Sequence, residues 1–243
     1  MQPIFTLTLR ALARNRRSLA VIALLCVPVL LALIYVASEG KSGGESFVIQ
    51  LFVQLVLPIL LPLTALIFAT SALGGEVEDR TLVYLILRPV SRLTVIAAKL
   101  LASAVITTIL VEISLAATYL IGTQGDGTAQ NFGAILLAGL VGCLAYSSLF
   151  LLVGLWLPRR GLLVGFLYVL LWEGILSQLS TGLAAFSVRR YIEGALNANL
   201  SASALTSSIS VDISGSASLI VLALVLVGGI LISTWKLQQM ELP

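Results

Sequence analysis

The chain contains no histidine. That absence removes imidazole as a general acid or base, as a metal ligand and as a switch near neutral pH. Charge is also scarce: 10% of the 243 residues are Asp, Glu, Lys or Arg, against about a quarter in an ordinary globular domain. The two cysteines, Cys26 and Cys143, both lie in apolar runs without metal-ligand spacing. They are small packing residues, and no metal site is expected. No aspartate falls inside a long apolar run. Membrane proteases need a serine with a histidine, paired aspartates or metal ligands, so an intramembrane enzyme is excluded.

What fills the chain instead is hydrocarbon. Hydrophobic residues make up 59% of it, and the mean hydropathy is +1.09. No water-soluble core of this size can hide so much apolar surface. The sequence therefore predicts an all-α, multi-pass membrane protein forming a single transmembrane domain over residues 1–243. A bilayer core of about 30 Å needs roughly 20 apolar residues in a helix. Six stretches qualify as spans, at about 19–37, 48–74, 95–121, 132–157, 161–179 and 217–235. The first has a basic flank, as a signal peptide does, but it is long enough to span and Ser38-Glu39-Gly40 is a poor cleavage context. It is expected to be retained. Span two carries Pro58 and Pro62, each of which removes a backbone donor and favours a kink.

Lys and Arg positions set the orientation. Arg10, Arg14, Arg16, Arg17, Arg80, Arg88, Arg92, Lys99, Arg159, Arg160 and Lys236 fall on one side, eleven of the fourteen. Lys41, Arg189 and Arg190 fall on the other. With six spans both termini face the cytoplasm, and the net charge of +3 reflects this sidedness, not nucleic-acid binding. Residues 3–17 separate arginines from apolar side chains on a short helix, which is expected to lie in the lipid headgroup layer or to serve as a basic flank that orients insertion. The segment 180–216, between spans five and six, has a helical start and a Ser-rich tail. It is placed at the outer surface or as a re-entrant piece, where irregular backbone is tolerated against protein or water.

The charge that the spans lack is concentrated in GEVEDRTLVYLILRPVSR, residues 75–92, where six of eighteen residues are charged. Glu76 and Arg80 are spaced to pair on a helix that continues past the lipid. Asp79 precedes Thr81–Leu87, an apolar run too short to span. Pro89 ends that run, and Ser91 is positioned to cap the next helix at Arg92. A short helix exposing Leu82, Tyr84 and Leu85 to cytosol needs a cover, either the membrane surface or the groove of another protein.

The order Gly75-Glu76, Glu78-Asp79-Arg80-Thr81-Leu82, Arg88-Pro89-Val90-Ser91-Arg92 and then Lys99 resembles the cytoplasmic loop of ABC-2 type transporter permeases. Arg80 stands where that family most often has glycine. The resemblance implies the transmembrane subunit of an ABC exporter in the plasma membrane. It implies a second permease subunit, identical or related, and a separate nucleotide-binding ATPase that holds ATP and Mg. The present chain has no GxxxxGK[ST] phosphate loop and no cofactor of its own. Glu76, Glu78, Asp79, Arg80, Thr81, Leu82, Leu85, Arg88, Pro89 and Arg92 would then form the coupling element seated on the ATPase.

Two carboxylates lie inside spans, Glu112 in span three and Glu173 in span five. An ionised carboxylate at the bilayer centre costs on the order of 3 kcal/mol even on the lenient insertion scale. Each must face the bundle or a cavity, or be protonated. Glu112 either lines a substrate path or bonds to hydroxyls nearby, such as Thr107, Thr108, Ser114 and Tyr119. Glu173 serves a path or anchors the outer end of span five. A secondary transporter or channel that uses both is the alternative function. Gly161, Gly165, Gly228 and Gly229 are expected to let helices approach closely, within or between subunits.

Overall fold

The computed structural model describes residues 7–8, 16–39, 43–78, 91–176, 186–201 and 213–239. These are helical almost throughout. Helix α1 is Arg16–Glu39, and α2 (Gly44–Leu51) runs through a π-helical segment, Phe52–Leu60, into α3 (Leu61–Glu78). Helices α4 (Arg92–Thr123) and α5 (Ala129–Trp156) follow. Then α6 (Gly161–Leu167) leads into a second π-helical segment, Tyr168–Leu176, and the order closes with α7 (Val188–Asn197) and α8 (Gly215–Gln239).

Among the described residues, five helices are long and apolar enough to cross a membrane: Ser18–Ser38, Gly44–Ala72, Arg92–Thr123, Ala129–Trp156 and Gly215–Gln239. They correspond to spans one to four and six of the sequence. The fifth predicted span corresponds to a shorter apolar helix, Gly161–Ile175, and residues 177–185 lie outside the described ones. Most of the segment 3–17 lies outside them as well.

Local chemistry explains where the helices begin and bend. Ser91 caps α4 by accepting the Thr94 N–H at 3.3 Å, and Thr128 caps α5 by accepting the Asn131 N–H at 3.4 Å. Between those helices Gln124 and Gly125 take left-handed conformations, with φ of 52° and 84°, which turns the chain tightly enough for α4 and α5 to pack antiparallel. Pro58 sits inside the first π-helical segment. There the N–H groups reach back five residues, as the Leu61 N–H does to the Val56 carbonyl. Proline supplies no N–H, so one carbonyl in this wide turn is left without its helical donor.

Helix α5 is the hub, packing against α3, α4, α6, α7 and α8, while α1 lies on α4. Close approach depends on small residues, as expected for helices that share a hydrocarbon solvent. Gly154 lies against the Thr70 backbone, Gly165 against Leu66 and Gly229 against Ser148. The Gly161/Gly165 pair therefore packs within the chain. At Gly44 an added Cβ would fall 2.2 Å from the Gly122 carbonyl oxygen. Hydroxyls inside the helices fold back on their own turns, as Thr70 does to Leu66 O at 2.6 Å and Thr107 to Ser103 O at 2.8 Å. Others stitch helices together: Ser114 donates to Leu25 O at 2.6 Å, and Ser148 to Val225 O at 3.3 Å. The outer faces of α1 and α8 present Leu30, Ile34, Leu224 and Leu231, the side chains a lipid solvent tolerates.

The two ends of the bundle differ. Arg92, Lys99, Arg159, Arg160 and Lys236 gather at one, which we call the basic end; there the Lys236 ammonium sits 5.6 Å from the Trp156 ring centroid. The start of α2, the α4–α5 turn and α7 meet at the far end. Glu45 joins them, accepting from the Tyr119 hydroxyl at 2.6 Å and from the Thr128 N–H and hydroxyl at 2.9 and 2.8 Å.

Candidate functional site

At the basic end, α3 runs on as helix to Glu78, past the apolar stretch that ends at Ala72. The backbone of Glu76 and Glu78 is therefore helical, as the sequence predicts. Asp79, Arg80, Thr81, Leu82, Leu85, Arg88 and Pro89 lie outside the described residues. The chain resumes with the Ser91 cap and Arg92, which donates through Nη1 to the Leu237 carbonyl at the end of α8. Two turns further on is Lys99. It is fully buried at 0% exposure, and its Nζ donates to the Ala72 carbonyl at 2.8 Å. A buried ammonium needs such acceptors to offset its lost hydration. Lys99 thus ties the end of span two to the start of span three, on either side of the charged connection.

Glu112 lies midway along α4, packed against α5 where Gly139 leaves it room: a Cβ there would sit 2.8 Å from its Oε1. The neighbouring hydroxyls do not serve it. Thr107 bonds to Ser103 O, Ser114 to Leu25 O, and Tyr119 to Glu45 and Thr128. Thr108 interacts with Cys143. The Glu112 Oε1 is buried with no hydrogen-bond partner. Hydroxyls near in sequence are thus not its anchors: Thr107 bonds to its own preceding turn, and the others to groups on other elements. An unpartnered buried oxygen is a cost the fold carries. Glu112→Met, which removes the unpartnered oxygen, is therefore expected to raise the melting temperature, by roughly 2–4 °C for each kcal/mol recovered; differential scanning fluorimetry of the purified chain checks the sign.

Glu173 is wholly buried, at 0% exposure. Its Oε1 accepts from the Tyr168 hydroxyl at 2.9 Å and the Val188 N–H at 3.2 Å. Its Oε2 accepts from the Ser187 hydroxyl at 2.5 Å and the Arg189 N–H at 3.4 Å. Val188 and Arg189 open α7, so Glu173 occupies the place of a helix cap from a different element. The Tyr146 hydroxyl interacts electrostatically with Glu173, Tyr168 and Arg189. The Arg189 side chain pairs with Glu193 at 2.5 Å and donates through Nη2 to the Val53 carbonyl at 3.2 Å. Burial pushes the Glu193 carboxyl above its ordinary value, against the opposing pull of Arg189. Glu112 and Glu173 are therefore not brought together. Arg189, Glu193 and Tyr168 were not singled out as site residues by sequence. Their signal was available only in part, in the i,i+4 spacing of Arg189 and Glu193 on a short helix.

A model of the family described as ABC-2 family transporter protein matches residues 12–172. The chain belongs to the ABC-2 transporter family. As an ABC-2 permease it is a membrane-embedded component of an ABC transporter, which implies an ATPase partner. The family is the transmembrane component of such a transporter and not itself the catalytic one. Curated proteins provide no match to the chain. The family match spans α1 to the second π-helical segment and stops one residue short of Glu173. It includes the charged connection and Lys99; α7 and α8 lie beyond it.

Proposed function

We propose that this ABC-2 permease couples ATP hydrolysis by a separate nucleotide-binding subunit to export of a substrate across the plasma membrane. It does so as a dimer, with itself or with a related permease. Six spans place both termini and the basic end in the cytoplasm, following the distribution of Lys and Arg. The connection between α3 and α4 is the coupling element: a short amphipathic helix around Arg80–Leu87 seated in a groove of the ATPase, with Glu76, Glu78, Asp79, Arg88 and Arg92 around it. ATP and Mg bind to the partner, and this chain contributes no cofactor site.

One observation carries this reading. The family match covers a connection whose charge and short apolar run have no use in lipid, and Lys99 ties together the two helices that flank it. Movement imposed on the connection is then delivered to spans two and three as a pair.

The reading is tested by purifying the tagged chain from its own membranes and assaying the eluate for a bound ATPase with a phosphate loop. Charge reversal at both Glu76 and Arg80 is expected to release that subunit while the membrane part keeps its melting temperature. Substrate movement that persists without any ATPase and follows an ion gradient would overturn the proposal in favour of a secondary transporter using Glu112 and Glu173.

A further inference from the structure

Helix α7 poses a physical problem. It is ten residues long, too short to be stable alone in water, and its Ile192, Ala195 and Leu196 are buried. Its first-turn N–H groups have no acceptor within the helix, and Ser187 at the N-cap position makes no side-chain cap. The Ser187 hydroxyl is instead turned to Glu173.

Two other elements answer these needs. From the π-helical segment Tyr168–Leu176, Glu173 accepts the N–H groups of Val188 and Arg189. A carboxylate at a helix N-terminus also meets the positive end of the helix dipole. From the π-helical segment Phe52–Leu60, Val53 offers its carbonyl to Arg189 Nη2. The reason this carbonyl is free is in the sequence. In a π-helix the donor for Val53 O is the N–H of the residue five positions on, and that residue is Pro58. Arg189 thus replaces a hydrogen bond that proline cannot make, while its Nε is held by Glu193.

We infer that Glu173 and Arg189 are positioning residues that bolt helix α7 to span two and to the span-five helix at once, so that α7 moves with span two. The inference rests on the proposed coupling only for the motion of span two; the bolt itself belongs to the chain alone. Span two is the helix that reaches the charged connection at its other end. A displacement there is carried along α3 and the π-helical segment to Val53, and Arg189 passes it to α7. Helix α7 is then the far-end element that answers to the ATPase.

The test uses the full chain in lipid nanodiscs. In a Cys26→Ala background, Ala195→Cys places a thiol on the buried face of α7, and the native Cys143, buried in α5, reports on the bundle. Maleimide labelling at the two positions is separated by peptide mass spectrometry. Glu173→Ala and Arg189→Met are each expected to speed labelling at position 195 roughly ten-fold, while Cys143 stays unlabelled. Arg189→Lys, which keeps a cationic donor for Val53 O, is expected to restore much of the slow rate. If either variant leaves position 195 as slow as before, or if Cys143 becomes labelled in step with it, the bolt does not exist. With the ATPase bound, ATP is expected to change the rate at position 195, and Arg189→Met to abolish that change while hydrolysis continues. Hydrolysis without any change in the wild-type rate overturns the relay. Failure of an ATPase to bind counts against the proposed function, and the thiol measurements on the chain alone still decide the bolt.

Discussion

Replacing Leu82 and Leu85 together with aspartate is expected to separate the permease from its ATPase. Each leucine, as an apolar anchor removed from water, contributes about 1.5–3 kcal/mol to a docked helix. Losing both weakens association by a hundred-fold or more, since each 1.4 kcal/mol is a factor of about ten. The aspartates also add charge that would have to be desolvated in the groove. The stretch Thr81–Leu87 is bounded by Asp79, Arg80, Arg88 and Pro89, so its apolar residues are confined to seven positions. Co-purification of ATPase with the tagged permease provides the readout, with an unchanged melting temperature as the control for folding. An intact complex would mean that the connection is held at the lipid surface and not in a protein groove.

The second large effect is expected at Lys99. The side chain is sealed between spans two and three, and its ammonium is met by the Ala72 carbonyl at 2.8 Å. Lys99→Glu would direct an acceptor-only charge at another acceptor. Breaking a buried charged contact in this way costs about 3–5 kcal/mol, a large part of the 5–15 kcal/mol that holds a typical domain together. Little monodisperse protein should be recovered by size-exclusion chromatography. Lys99→Met keeps the length and removes the charge. Because the Ala72 carbonyl lies within helix α3, the loss there should be close to that of one ordinary hydrogen bond, about 1 kcal/mol. The methionine variant is expected to fold and to bind the ATPase, but to hydrolyse ATP without carrying span three along with span two. Full nucleotide-dependent movement in that variant would show that spans two and three are joined by other contacts.

These two predictions stand at different distances from the sequence. The Leu82/Leu85 test rests on composition alone: an apolar run too short to span, in a charged connection, must be covered. The Lys99 test needs tertiary structure. The sequence places a lysine seven residues into α4 and its family resemblance marks the position, but only the packing of α3 on α4 reveals that the side chain is buried against Ala72. Glu112 and Glu173 make the same point more strongly. Both are single carboxylates in apolar runs, and local sequence treats them alike. One ends with an unpartnered oxygen beside Gly139, the other with four donors from Tyr168, Ser187, Val188 and Arg189. The difference arises because their partners come from distant elements, at separations that no local period encodes. Pro58 is intermediate. Its missing N–H was evident from sequence as a place for a kink; the replacement donor to the Val53 carbonyl, 136 positions from it in Arg189, was not.

The sequence by itself determined the solvent, the helical class, most of the spans and the cap at Ser91. These follow from hydropathy, helix periodicity and backbone chemistry, which act over a few turns. Tertiary structure alone decided how each intramembrane polar group is satisfied. In lipid no water is present to complete a hydrogen bond, so every buried carbonyl, ammonium and carboxylate depends on which helix happens to lie beside it.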